Sequence, residues 1–214
     1  MTQMLIQRKL KKFASPKVAK QSQHYFKTKK GDYGHGDIFI GVKAADLRLL
    51  AKGNTDLSLQ DTKKLIQSKI HEERALGLRI LVYRYKKSKD EAEKAKIYKF
   101  YITQFKHINN WDLVDCSCPY IVGPYLMERD RKVLYKWARS KHLWTRRIAI
   151  VTNWWLIRNG DLKEVFKISK ILLNDKHDLI HKAVGWMLRE AGKKDIAKLE
   201  AFLRKHYTKI PSLI

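Results

Sequence analysis

The sequence predicts an all-α chain, an α-solenoid of stacked helix pairs that forms one domain over residues 1–214. Three observations predict it. Apolar residues recur at helical spacing throughout, and strand-like alternation is nearly absent. Proline is scarce, with four residues, and the glycines number only ten, so little interrupts the helical stretches. Finally, the apolar segments that start near Arg74, Trp111, Arg147 and Lys182 follow one another at intervals of 37, 36 and 35 residues. Each is trailed by a second, shorter amphipathic helix. A helix pair repeating every ~35–45 residues marks a HEAT or armadillo-like solenoid, because each pair buries its apolar face only against its neighbours. About a dozen helices in six pairs are expected, the first two pairs less regular, with one helix of each pair lining a basic concave face.

Charge narrows the partner. Lys and Arg number 46 against 21 Asp and Glu, a net charge of +25. Such an excess points to a polyanion, nucleic acid first and an anionic membrane surface second. No stretch approaches the ~18 apolar residues a membrane span needs. The N-terminal MTQMLIQRKLKKFASPK has no long apolar run and no small-residue cleavage site, so it does not read as a secretory signal. Two cysteines in a basic chain fit a reduced, cytoplasmic setting.

Along the chain, KTKKGDYGHGDIFIG, residues 27–41, holds four glycines and several lysines and reads as a surface loop touching the partner. RALGLRILVYRY places Ala75, Leu78, Ile80, Leu81 and Val82 on a broad apolar face, and DEAEKAKIYKFYITQF supplies the second helix of that pair. Asn110 is the expected N-cap of WDLVD, in which Leu113 and Val114 read as core. Cys116 and Cys118 lie too close for a structural disulfide and, with no second Cys or His pair in register, read as two free thiols. DRKVLYKWARS closes this pair. In TRRIAIVTNWWLI, Ile148, Val151 and Trp155 form the apolar face, with Gly160 as the stop and Asp161 as the cap of DLKEVFKISKILL. His177 and His181 are four apart, but no Glu follows the first and no third ligand is evident, so they read as capping or surface residues. Ile180, Ala183, Val184, Met187 and Leu188 form the last apolar face, Gly192 reads as its C′ residue, and DIAKLEAFLRKHY follows. No phosphate loop, nucleophile elbow, dinucleotide fingerprint, metal site or cofactor signature is present.

Trp111 and Asp115 stand four apart, on one face of a helix. An indole beside a carboxylate is unusual in a packing stripe. Trp111, Arg147 and Trp186 recur at 36 and 39 residues, near the start or middle of the first helix of successive pairs. Each alone reads as core or as a solvated edge; at matching repeat positions they become candidates for one shared surface. Trp137 and Trp144 read as packing between repeats.

WDLVD, WTRRIAIV and LIHKAVGWMLREAGKKD, in that order, resemble the bacterial DNA alkylation repair glycosylases of the AlkD type. The segment GDYGHGDIFIGVKAADLRLLA resembles that family's N-terminal region, and the likeness runs over residues ~20 to 207. The ending KIPSLI departs from the family, whose members continue into a further helix, and leaves a DNA contact there without a counterpart. The resemblance implies a HEAT-like solenoid that holds double-stranded DNA and excises purines alkylated at N3 or N7, without a cofactor. Carried over by position, Asp115, Trp111 and Trp186 are its catalytic residues. Arg147 holds a backbone phosphate, and Tyr25 is the N-terminal aromatic that contacts DNA. Lys27, Lys29, Lys30, Lys193 and Lys194 are candidate phosphate contacts, the last two equally suited to complementing a helix dipole.

The expectation is therefore a cytoplasmic, monomeric glycosylase with no obligate protein partner and no membrane association. Two rivals carry the same charge and repeats. One is a non-catalytic relative that binds branched or bent DNA, which would keep the charge and the solenoid but lose the site, so that Trp111, Asp115, Arg147 and Trp186 together argue against it. The other is a HEAT-like scaffold for an acidic protein, which would present anchors in its groove rather than basic residues.

Overall fold

The computed structural model of the protein describes residues 2–207. The KIPSLI ending lies outside them. The chain divides into two compact units, Met1–Ser117 and Cys118–Ile214.

In the first unit, α1 (Gln3–Lys11), α2 (Pro16–Tyr25), α3 (Ala44–Lys52) and α4 (Leu59–Ile66) precede the long α5 (His71–Lys87). Then come α6 (Glu91–Thr103), a 3-10 turn at Phe105–His107 and the short α7 (Trp111–Asp115). Helix α5 is the hub, packed against α3, α4, α6 and α7. Ala75, Leu76, Leu78, Ile80 and Leu81 are all but inaccessible, and burial runs unbroken from His71 to Leu78. A helix buried around its first two turns needs partners for every polar group there.

The second unit holds α8 (Cys118–Leu126), α9 (Lys132–Ala138), α10 (Leu143–Val151), α11 (Asn153–Arg158), α12 (Lys163–Leu172), α13 (Asp178–Gly192) and α14 (Ile196–His206). Its hub is α13, which meets α10, α11, α12 and α14. Ile180, Ala183, Val184, Met187 and Leu188 face that core.

The expected pairs α5–α6, α10–α12 and α13–α14 pack together, but α9, expected to close the WDLVD pair, packs instead on α10 and α12. No strand forms among the described residues beyond one bridge between Ile38 and Ile70. Fourteen α-helices rather than about a dozen appear among those residues, because two first helices are interrupted. At the first break Ser117 Oγ donates back to the Leu113 carbonyl at 2.5 Å. At the second Thr152 Oγ1 donates to Ile148 O at 2.7 Å, and Asn153 Nδ2 bonds the carbonyls of Ala149 and Ile150. Such side-chain bonds compete with the helix ladder and bend it.

The expected caps largely form. The Asn110 side chain accepts from the Trp111 amide at 2.8 Å, His177 caps α13 through the Leu179 amide, and Asp161 accepts from the Lys163 amide. Gly160 follows α11 with φ +81°. Gly192 differs from expectation. It is the last residue of α13 rather than a left-handed C′ residue, and a Cβ there would lie 2.4 Å from Leu199 Cδ2. Its role is to let α14 approach, a requirement set by packing that leaves no local turn signal.

Segment 27–41 also differs from expectation. Lys27, Lys29 and Lys30 are exposed, but Asp37 and Phe39 are buried. The loop is fastened to the start of α5. The Glu72 carboxylate accepts the amides of Ile40, Gly41 and Val42, the shortest bond being 2.7 Å from Gly41. Glu72 also suits the positive end of the α5 dipole. Glu72→Ala should leave three amides without their acceptor and lower stability by about 2–4 kcal/mol. The check is a urea melt together with hydrogen exchange at Ile40–Val42. Unchanged protection there would contradict the anchoring role.

Candidate active site

The α7 helix begins where several buried polar groups meet. His71 opens α5 with its side chain 3% exposed. Its Nδ1 lies 3.0 Å from Asp37 Oδ2 and its Nε2 lies 2.8 Å from Asp112 Oδ2. Carboxylates only accept, so both ring nitrogens carry protons and the ring is an imidazolium. Burial pushes the His71 pKa down. The charge and hydrogen bond of Asp112 and the bond to Asp37 outweigh that, against opposition from Arg74, and raise it to about 9. Asp37 is itself pushed up by burial. The His71 hydrogen bond and the charges of Arg74 and His71, with help from Asn110, still hold it below the usual carboxylate value. Arg74 Nη2 donates to Asp37 Oδ1 at 2.6 Å.

Aromatic rings cover this cluster. Phe39 stacks on His71 at 4.4 Å, and Phe26 lies 5.1 Å from both Phe39 and His71. Trp111 stacks on Phe26 at 5.3 Å, meets Tyr25 edge-on at 5.8 Å and donates its indole N–H to Tyr33 Oη at 3.2 Å. Trp111 is half-buried, whereas Tyr25 is 64% exposed. Two of the residues picked from sequence, Tyr25 and Trp111, are thus brought into contact.

Asp115 ends α7 one turn beyond Trp111 and is half-buried, while Leu113 and Val114 between them are fully buried. Both cysteines are free. Burial pushes the Cys116 thiol up to about 12, Arg79 opposing and the charges of Asp112 and Asp115 adding, so it remains a thiol.

In the second unit Arg147 is buried, 5% exposed, and its Nη1 donates to the Leu179 carbonyl at 2.6 Å. That bond ties α10 to the first turn of α13, the helix on which Trp186 sits half-buried two turns later. The neighbouring Arg146 closes on Asp175 at 2.6 Å. Lys193 pairs with Glu190 at 2.7 Å, and Lys194 is exposed.

The sequence pattern of the DNA alkylation repair enzyme family matches residues 6–214. The chain belongs to that family. Its fold is also that of a solved structure described as a predicted DNA alkylation repair enzyme from Enterococcus faecalis. The TM-score is 0.72 at 17% identity, over 94% of this chain and 92% of the other. No curated protein matches the chain. Membership gives this chain a role in DNA repair, with DNA as its substrate, on an all-helical, solenoid-like fold.

Sequence reasoning missed Asp37, His71, Asp112, Phe26, Phe39 and Tyr33. His71 and Asp112 are 41 residues apart and Asp37 a further 34 upstream, so no local pattern joins them. The available signal was His71-Glu72-Glu73-Arg74, four polar residues opening the helix directly before the apolar face that starts at Ala75.

Proposed function

We propose that the protein is a DNA glycosylase that excises cationic N3- or N7-alkylated purines from duplex DNA by hydrolysing the N-glycosidic bond. The observation that carries this reading is the Trp111–Asp115 pair. A carboxylate and an indole share one face of α7, beside an exposed tyrosine, in a DNA repair chain of net charge +25.

An alkylated purine of this class already carries positive charge, so it leaves without a general acid. What rises in energy is the sugar, which becomes oxocarbenium-like as the bond breaks. A fixed carboxylate stabilises that cation electrostatically and orients the attacking water. Asp115 takes this role. Trp111 and Trp186 offer electron-rich faces to the sugar and the cationic base, at about 0.5–2 kcal/mol each. Arg147 is assigned a backbone phosphate, a charge-assisted bond that fixes position and does not read sequence, which requires its buried guanidinium to share or leave the Leu179 carbonyl. Tyr25 and the exposed Lys27, Lys29, Lys30 and Lys194 add contacts to DNA, and the enzyme works as a cytoplasmic monomer without a cofactor.

The test is base release. Duplex DNA carrying 7-methylguanine should lose the base on incubation with the protein, and duplex DNA carrying neutral uracil should not. No release from the methylated duplex rejects the glycosylase reading and leaves a DNA-binding role.

A further inference from the structure

Beside the aromatic cluster, the first unit has a second feature that the proposed chemistry does not use. A recess of about 230 Å³ opens between the 35–37 segment, the turn before α5 and the turn before α7. Its cations are Lys69, Lys106 and Arg74, with His35 and His107 beside them. The single carboxylate in its wall, Asp37, is already spent. Arg74 and Asn109 donate to one of its oxygens, and His71 and Asn110 to the other. Neither Lys69 nor Lys106 has an ion-pair partner among the described residues.

Three polar atoms of the lining have no hydrogen-bond partner although they are buried: His107 Nε2, Arg74 Nε and Asn109 Oδ1. Arg74 is otherwise fixed, its Nη1 on the carbonyls of Ser68 and Lys69 at 2.9 and 3.2 Å, with its side chain 5% exposed. Two of the three, Arg74 Nε and a protonated His107 Nε2, are donors, and buried donors without acceptors mark a place where an acceptor belongs; Asn109 Oδ1 accepts and needs a donor such as a water. The local field agrees. Burial holds His107 below its ordinary value, and every charge that adds to this is a cation: Lys106, Arg74 and Lys63. At about 30 Å³ per water, the recess has room for a tetrahedral oxyanion and several waters.

The turn that forms this recess is a repeating one. Lys106-His107 precedes α7, Lys141-His142 precedes α10 and Lys176-His177 precedes α13, at intervals of 35 residues. Ser68-Lys69 before α5 recurs as Ser140-Lys141 before α10. In both, an arginine six residues on, Arg74 or Arg146, clasps the two turn carbonyls and binds an aspartate. A cationic turn repeated once per helix pair suits a ligand that is itself a repeating anion.

We propose that the recess is a seat for a DNA backbone phosphate, with Lys69 and Lys106 supplying charge and His107 and Arg74 donating N–H bonds. The proposal rests on DNA being the partner but not on glycosylase chemistry. A phosphate on His107 Nε2 requires that nitrogen to carry a proton, and the negative charge beside it favours the imidazolium, so occupancy should raise the His107 pKa.

The experiment follows the His107 ring by NMR across pH in the full chain, alone, with inorganic phosphate and with an undamaged duplex. Duplex affinity is measured against salt for the wild type, Lys106→Ala and His107→Gln. The expected results are a His107 pKa raised by duplex and a several-fold weaker Kd in both variants. The slope of log K against log salt should become shallower by about 1 in Lys106→Ala. If only inorganic phosphate moves His107, the seat takes free phosphate and the backbone assignment is overturned. If the wild type binds duplex but His107 does not respond and the slope is unchanged, the seat is rejected while DNA binding stands. If the wild type does not bind duplex, the DNA reading itself fails and takes this assignment with it.

Discussion

Asp115→Asn is expected to release 7-methylguanine about 10²–10³-fold more slowly than the wild type while binding duplex at least as tightly. The substitution keeps size and shape and removes one charge. A carboxylate fixed against a developing cation contributes only as charge develops, so its loss appears in the rate of base release; removing a preorganised charge-stabilising group costs about that factor. Binding should hold or improve, because a negative charge near a polyanion opposes association. The measurement is single-turnover base release at saturating enzyme, beside duplex affinity from anisotropy. Equal release by the variant would remove Asp115 from the chemistry. Weaker binding with an unchanged rate would recast it as a positioning residue for DNA. Trp111→Ala should have a smaller effect on the chemical step, since the indole adds only a cation–π-like interaction. It also strips one face of Phe26 and the Tyr33 hydrogen bond, so a melt must accompany it.

His71→Ala should lower stability by about 3–5 kcal/mol, the range for breaking a buried charged pair and leaving its partner uncompensated. Here two carboxylates, Asp37 and Asp112, lose their shared cation. The wild type should show the matching pH dependence. The His71 pKa rises from 6.5 to about 9 on folding. Its stabilisation is therefore complete below pH 6.5 and fades as pH climbs through 9, by about 3 kcal/mol in all. Asp37 acts in the opposite window. Its lowered pKa stabilises the fold above the ordinary carboxylate value of 3.8, and that stabilisation is lost on acidification. Urea melts at pH 6, 7.5 and 9 check the first window. If His71→Ala loses stability between pH 6.5 and 9 as steeply as the wild type, the imidazolium is not its source.

The helix pairs were legible because periodicity, caps and repeat spacing are local. The faces centred on Leu78, Ile148 and Val184 are buried where the 3.6-residue period puts them, and Asn110 caps α7 as its residue type suggests. Fold membership follows the same register. The anchoring of the glycine-rich segment was not legible, since it depends on Asp37 and Glu72 meeting groups more than thirty residues away. Nor was the burial of Arg147, an arginine whose carbonyl partner lies 32 residues on. Within the candidate site, the pair one helical turn apart could be read directly. The His71 cluster that positions it could not, because each member is an ordinary polar residue until the chain folds.

The arginine clasp at the turns bears on how the protein reaches its native state. Arg74 and Arg146 each bond carbonyls only five and six residues behind them. A loop of that size closes in about 10–100 ns, before any helix pair docks on its neighbour. The turns can therefore take native shape while the helices are still separate, so that assembly begins at several places along the chain at once. Contacts of such short sequence separation also favour rapid folding. The aspartate bonds, Arg74 to Asp37 and Arg146 to Asp175, span 37 and 29 residues and close only when neighbouring segments arrive. Each clasp thus joins a bond made within its own turn to one that waits for the repeat that follows or precedes it.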